Sequence, residues 1–196
     1  ELTLTGRDCG EAERAPMCGV PFHSAETYIA TLIEKGYKVA ICEQMENPAT
    51  AKGLVKREVI RIITPGTVTE ASMLPETRNN YLASVFIDEG GAGVCFADIS
   101  TAQIFATSFE TTQYLPQLIG ELGTYAPREV LINLPHKLCP ELVDFVKNRL
   151  NAVISDGDAS KYEYKSAAEA VRAQFSATLR DGDLDKRRLI CALGAL

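Results

Sequence analysis

The clearest hydrophobic pattern of the chain is the alternation of apolar and polar positions over residues 56–64, which predicts a β-strand. A different period, with apolar residues three and four positions apart, runs through residues 25–35 and predicts a helix. Ser24 is a favourable N-cap for that helix, and Gly36 is a favourable stop. The first part of the chain is therefore expected to be a mixed α/β domain.

Shorter signals fill the rest of this first part. They come from β-rich runs, from Gly, Pro and charge, and from a Pro at a first helical position. The predicted elements are a strand at residues 2–5, a loop at 6–19, a strand at 38–42 and a brief helix from Asn47 and Pro48 to Gly53.

A change in composition separates the two parts of the chain. The Pro-Gly turn at residues 64–67 stops the alternating strand, and a polar stretch follows up to residue 80. We expect a linker at residues 71–77 between two small domains.

The second part begins with three apolar strands joined by short turns, which predicts an antiparallel meander. Strands and helices then alternate. The order β-β-β-α-β-α-β-α is that of the ribonuclease-H-like fold, so the predicted class is α/β. The predicted elements are strands 81–87, 93–99 and 102–109, helix 112–122, strand 129–134, helix 140–150, strand 152–155 and helices 166–175 and 185–196.

Charge narrows the choice of partners more than composition does. The 196 residues have a net charge of −6, with 20 Lys and Arg against 26 Asp and Glu. Residues 1–77 carry 8 Lys and Arg against 11 Asp and Glu, and residues 78–196 carry 12 Lys and Arg against 15 Asp and Glu. Each part therefore has a net charge of about −3. Because DNA affinity rests mainly on Lys and Arg that neutralise phosphates, tight stand-alone binding to a duplex is not expected.

The apolar runs and the cysteines point to a cytoplasmic protein. No run approaches the roughly 20 residues that a membrane helix needs, so we expect no membrane partner. Six cysteines are predicted to be reduced, and Cys42 and Cys95 fall within apolar strands where a thiol behaves as a small hydrophobe. A zinc site would recruit Cys9, Cys18, His23 and Cys42, but their spacing is irregular, and we expect no metal.

A metal-dependent nuclease is the alternative function that a ribonuclease-H-like order suggests. Such enzymes hold two metal ions with a cluster of carboxylates, and one of these carboxylates lies in the middle of the first strand. The strand at 81–87 contains no acid, and only Asp88 at its end and Asp98 on the next strand lie near. The histidines, His23 and His136, fall in different domains and form no triad. We therefore expect no catalytic residue.

Two loop-like segments could contact a ligand. Residues 90–93 are rich in Gly but lack the Lys of a phosphate loop, so a hairpin turn is the better interpretation. Residues 16–23 form an apolar segment with two prolines. It either packs under the helix at 25–35 or meets a ligand with Met17 or its backbone, and the physics of the sequence favours packing under the helix.

Three motifs give the chain a family resemblance. Residues 17–23, 35–44 and 59–67 are similar in order and spacing to the bacterial MutS family, whose members recognise mismatches in DNA repair. Beyond residue 78 the match is looser and rests on residues 98–101 and 127–131.

The resemblance implies a division of the chain. Residues 1–70 would be the later part of the mismatch-binding domain, 71–77 a linker, 78–185 the ribonuclease-H-like connector domain without nuclease activity, and 186–196 the start of a helix toward the lever and core domains. The Phe-x-Glu wedge of the family would lie before Glu1, and the ATPase far beyond Leu196, so this piece would be no enzyme.

The resemblance also implies partners. Arg7 and Arg57 would contact the DNA backbone, and Met17 would lie in a segment that approaches the minor groove. The whole protein would bind mismatched duplex DNA, use ATP and Mg²⁺, form a homodimer and recruit MutL through the connector domain. The piece itself would hold no cofactor.

Overall fold

The computed structural model describes residues 2–8, 10, 14–47, 53–74, 77–175, 182 and 185–196. It divides into two compact units, Glu1–Ile62 and Ile63–Leu196. Its mixed α/β class confirms the class that the hydrophobic pattern predicts. In the described part of the chain no helix is both long and apolar enough to cross a membrane.

The first unit consists of two small sheets and one helix. Strands β1 and β2 form an antiparallel hairpin, and β3 pairs with β4. The bounds are β1 Leu4–Arg7, β2 Ala15–Cys18, α1 Ala25–Glu34, β3 Val39–Gln44 and β4 Arg57–Ile63.

The structure corrects three details of this unit. Ala15–Cys18 is a strand and not part of a loop, because Pro16 lies in a two-stranded hairpin, where a strand tolerates the loss of one donor. Ser24 makes no side-chain capping bond, since a 3-10 turn at Phe22–Ser24 precedes α1 and gives it a non-extended backbone. Cys42 is exposed and not a buried hydrophobe. The brief helix predicted after Asn47 lies mostly outside the described residues.

The second unit is built on one five-stranded sheet of order β7-β6-β5-β8-β9. The first three strands are antiparallel, and β8 and β9 run parallel to β5. The bounds are β5 Tyr81–Asp88, β6 Gly91–Asp98, β7 Gln103–Phe109, α2 Leu115–Tyr125, β8 Glu129–Ile132, α3 Pro140–Asp144 with a π-turn Phe145–Arg149, β9 Val153–Asp156, α4 Tyr164–Phe175 and α5 Arg187–Gly194.

Both faces of this sheet are covered. On one face, α2 and α3 bury the main core, in which Leu118, Leu122 and Val85 are fully buried. On the other, α4 and α5 pack through Ala167, Val171 and Ile190. Alternating buried residues along β5 and β6 therefore find a partner on each side, which explains why these strands are apolar throughout.

The Pro-Gly turn that follows β4 belongs to the second unit. Thr64, Pro65, Gly66 and Val68 are buried there. The Gly66 amide donates to Oε2 of Glu129 at 3.2 Å, and the Asn80 side chain donates to the Pro65 carbonyl at 3.0 Å. A Cβ on Gly66 would lie 2.8 Å from a Leu82 methyl group and 3.0 Å from the Glu129 Cβ, so any larger residue would force Leu82 to shift. The turn is thus anchored to the sheet.

Candidate nucleic-acid interface

The β1–β2 hairpin positions two of the three predicted contact residues. Its register pairs Thr5 with Met17 and Arg7 with Ala15. The Thr5 hydroxyl donates to the Met17 carbonyl at 2.8 Å, which fixes the backbone of that residue. The Met17 side chain is 43% exposed, and Arg7 is exposed as well. Both residues lie on the surface of the hairpin.

Arg14 is a fourth candidate that the sequence reasoning missed. It is exposed at the start of β2, next to the residue that pairs with Arg7. Its side chain crosses Gly6, where a Cβ would lie 3.2 Å from the Arg14 Cβ. The two arginines are seven positions apart in the sequence, and only the hairpin register brings them to the same end of the hairpin. Arg7 lies on the face of Met17, and Arg14 lies on the opposite face with Gly6. Once the strand at residues 15–18 is recognised, that register is the signal that finds Arg14.

Arg57 lies apart from the hairpin, at the start of β4. It is exposed, and its neighbours Lys56 and Glu58 form an ion pair of 2.6 Å on the surface. Among the described strands, no pairing joins the β1–β2 sheet to the β3–β4 sheet. The structure therefore brings Arg7 and Met17 together and leaves Arg57 on a separate element.

The apolar segment after β2 is not packed beneath α1. Phe22 is 94% exposed and Val20 is 38% exposed. The reading in which the whole of residues 16–23 packs under the helix is therefore wrong. An exposed apolar segment between an arginine-bearing hairpin and a helix is suited to contact another molecule, since exposed large apolar side chains in a group mark interaction sites.

What this surface can do chemically follows from its side chains. Guanidinium groups bind phosphate oxygens through several donors and carry no information about base sequence. An apolar side chain such as Met17 can press against bases or sugars without a hydrogen bond. The combination suits a duplex held through its backbone.

The carboxylates of the second unit are not arranged for two-metal catalysis. Asp88 ends β5, whereas Asp98 ends β6, which is antiparallel and pairs Asp98 with Tyr81. With a rise of about 3.3 Å per residue, seven residues separate the two ends by roughly 23 Å. Two metal ions in a nuclease lie about 4 Å apart, so these two acids cannot share a cluster.

Each of these acids has a structural partner. Asp88 accepts a hydrogen bond of 2.7 Å from Arg188 and one of 2.9 Å from the Gly90 amide. Burial pushes its pKa up, but the bonds from Arg188 and Gly90 outweigh this and hold the pKa below its ordinary value. Asn133 follows the end of β8. Its side chain accepts a hydrogen bond from the Ile87 amide and donates one to the Ile87 carbonyl. No group of three potential metal ligands occurs among the described residues.

The residues that a zinc site would recruit are only partly described. Cys18 and Cys42 are exposed and free, whereas Cys9 lies outside the described residues. Cys95 is buried in β6, and burial raises the pKa of its thiol to about 12. Cys95 is therefore a buried hydrophobe, as the sequence predicts.

Comparison with known proteins covers almost the whole chain. Residues 1–72 match the family model of MutS domain I, and residues 80–196 match that of MutS domain II. The DNA mismatch repair protein MutS of Ruminiclostridium cellulolyticum is 46% identical over 175 residues, which are 89% of this chain and 20% of that protein. The MutS of Caldanaerobacter subterraneus is 41% identical over 198 residues, which are 100% of this chain and 22% of that protein. The chain thus spans about a fifth of the length of these relatives.

Proposed function

This chain belongs to the MutS family, and we propose that it forms the part of a mismatch repair protein that contacts the duplex backbone and connects these contacts to the rest of the protein. The first unit supplies backbone contacts near a mismatch. The second unit supplies the connector. The observation behind the first role is the hairpin, which exposes Arg7 and Met17 on one face and Arg14 at the same end on the other face.

Backbone contacts suit a protein that has to test any sequence. Because phosphates are the same at every base pair, arginines on the hairpin hold a matched and a mismatched duplex alike. Discrimination then comes from the ease with which a mispaired step kinks and unstacks. We propose Arg57 as a further backbone contact on its own strand. The conformity of residues 1–72 to MutS domain I supports this assignment.

The second unit is proposed as a connector that moves as one body. Its sheet is covered on both faces, its acids serve structural bonds, and its first turn is anchored by Glu129 and Asn80. Its last described helix, α5, is held by Arg188, which bonds both Asp88 and Glu110. A rigid body fixed at both ends can transmit a rotation between two arrangements. We propose residues 71–77 as the linker and 78–185 as the connector. Residues 186–196 lead onward, and their helix α5 packs on the connector sheet.

The partners of the whole protein are part of the same proposal. It would bind mismatched duplex DNA as a homodimer, use ATP and Mg²⁺ in a domain outside this chain, and recruit MutL through the connector. The names of the relatives, which are DNA mismatch repair proteins, support the proposal. The chain's own acidic balance agrees with DNA binding that needs the other domains.

The proposal is tested in the intact protein that contains this chain. Arg7→Ala is compared with Lys165→Ala, which removes the same charge from an exposed position of α4. Titration with a matched duplex and a G·T duplex should show weaker binding to both in Arg7→Ala, by about the same factor, and little change in Lys165→Ala. A loss confined to the mismatch, or equal losses in both variants, would contradict the backbone role.

Recruitment of MutL has a separate test. Charge-reversing substitutions at exposed connector positions are made in the intact protein, and mismatch binding, ATP turnover and recruitment are measured separately. Some of them should abolish recruitment and leave the other two activities unchanged. If no surface change affects recruitment, the connector is a spacer.

A further inference from the structure

We propose that β7 binds an extended segment of a partner protein as a sixth strand, and that this segment carries a basic side chain on one face and an apolar side chain on the other. The proposal goes beyond the DNA-binding and relay roles and does not depend on them. It rests on the edge of the sheet and on the pockets at its two faces.

The first observation concerns β7, an edge strand without the features that usually prevent strand pairing. In the order β7-β6-β5-β8-β9, no described strand pairs with the outer side of β7. Its seven residues, Gln103–Phe109, include no charge and no proline, and Gln103–Ala106 are exposed. Natural edge strands are usually short or protected by charge or proline, because open backbone groups invite pairing. The other edge, β9, has four residues and ends in Asp156.

The second observation is an aromatic pocket on one face of this edge. It has a volume of about 290 Å³ and is lined by Phe105, Tyr125 and the carboxylate-bearing Glu121. Phe105 is 41% exposed, and its ring centroid lies 5.2 Å from that of Tyr125. Aromatic faces beside a carboxylate attract a guanidinium or an ammonium group. This pocket therefore suits an arginine or lysine side chain.

The third observation is an apolar pocket on the opposite face. It has a volume of about 340 Å³ and is lined mainly by apolar groups of β6, β7, α4 and α5, among them Ile104, Val171 and Leu193. Ile104 is 43% exposed and pairs with Ala97, whereas its neighbour Phe105 pairs with Phe96 on the other face. Successive residues of an added strand point to opposite faces. Neighbouring side chains of one extended segment would thus meet the two pockets.

Charge complementarity decides the occupant. In strand addition, the main chain supplies affinity and pockets for alternate side chains supply specificity. A second copy of β7 brings no basic residue to Glu121, because residues 103–109 contain no Lys or Arg. The fitting occupant is therefore a basic and apolar segment of a different protein.

The test uses the full 196-residue chain and a seven-residue peptide, blocked at both ends, in which arginine and leucine alternate. A matched peptide has N-methyl groups at alternate positions, which block strand pairing and keep every side chain. Glu121→Lys is compared with Glu141→Lys, an equal charge change at an exposed position of α3. Affinity is measured by titration, and amide protection in β7 by hydrogen exchange.

The first peptide should bind and protect amides of β7, and the N-methylated peptide should lose this binding. Glu121→Lys should raise the Kd about tenfold, whereas Glu141→Lys should change it less than twofold. Equal binding of both peptides, equal losses in both variants, or no binding at millimolar peptide would overturn the proposal. So would self-association of the chain through β7 that the peptide fails to displace, because the occupant would then be a second copy.

Discussion

The two units of the chain differ in how they use apolar residues. Among the described residues of the first unit, Ile33 is the only buried hydrophobic side chain, whereas the other buried hydrophobic side chains among the described residues lie from Ile63 onward. In the first unit, Phe22 and Leu54 are more than nine-tenths exposed. The second unit buries its apolar side chains in a core, whereas the first unit exposes most of the large apolar side chains named here.

The difference follows from the number of layers. On β4 the consecutive residues Val59 and Ile60 point to opposite faces, and both are more than half exposed. On β5 the consecutive residues Ala83 and Ser84 are both fully buried, since helices cover each face of that sheet. A two-stranded sheet has too few neighbours to bury its side chains. Strand propensity alone therefore does not indicate where stability lies.

The largest expected effect is a loss of stability from the core of the second unit. Leu118→Ala removes a fully buried side chain and should lower the free energy of unfolding by about 2–5 kcal/mol. Val59→Ala, on the half-exposed strand β4, should change it by less than about 0.5 kcal/mol. Denaturant unfolding followed by a probe in each unit measures both. A loss in Val59→Ala comparable to that in Leu118→Ala would contradict this difference between the two units.

A smaller effect is expected at the anchored turn between β4 and β5. Asn80→Ala removes the buried bond to the Pro65 carbonyl and should cost about 1–3 kcal/mol. Faster hydrogen exchange of the Thr67 amide, which bonds the Thr64 carbonyl, would report loosening of the turn. Asn79→Ala is the matched control, because its side chain bonds Gln103 on the surface. An unchanged turn in Asn80→Ala would mean that Glu129 alone holds it.

A still smaller effect is expected from pH. Burial pushes the pKa of Asp98 up, but hydrogen bonds from Ser100, Asn80 and Thr101 outweigh it and hold the pKa below its ordinary value of 3.8. Because the folded-state pKa is the lower one, the carboxylate stabilises the fold above pH 3.8 and loses this contribution as the pH falls through the folded pKa.

Unfolding free energies measured from about pH 6 down to about pH 2 test this effect. The difference in unfolding free energy between the parent chain and Asp98→Asn should become smaller below pH 3.8. The unfolding free energy of Glu89→Gln, a change on an exposed turn, should stay close to that of the parent chain. A gap that stays constant with pH would show that the ionised form of Asp98 has no special stabilisation.

The sequence predicts the second unit better than the first for the same physical reason. Apolar runs such as residues 81–87 indicate buried strands, because two covered faces leave few polar positions. The sequence does not predict the strand at residues 15–18, because Pro16 is typical of a loop. It predicts a buried Cys42, because an apolar run does not show whether another layer covers the strand. The bond between Gly66 and Glu129 joins residues 63 positions apart, which no local pattern encodes.

The candidate site shows the same limit. The exposed segment with Met17 and the arginine at Arg7 could be singled out from motifs, whereas Arg14 needed the register of the hairpin. Local patterns identify single residues, and only the pairing between strands shows that Arg7 and Arg14 lie at the same end of the hairpin, on opposite faces.

The central claim is that the hairpin of the first unit holds the DNA backbone without reading sequence, and the salt dependence of binding tests it most directly. In the intact protein, Arg7→Ala with Arg14→Ala removes two proposed phosphate contacts. The slope of log K against log salt should then become shallower by about 1.8, since each contact contributes about 0.9. The ratio of affinities for a G·T and a matched duplex should stay the same. An unchanged slope, or a ratio that falls with the affinity, would contradict the account.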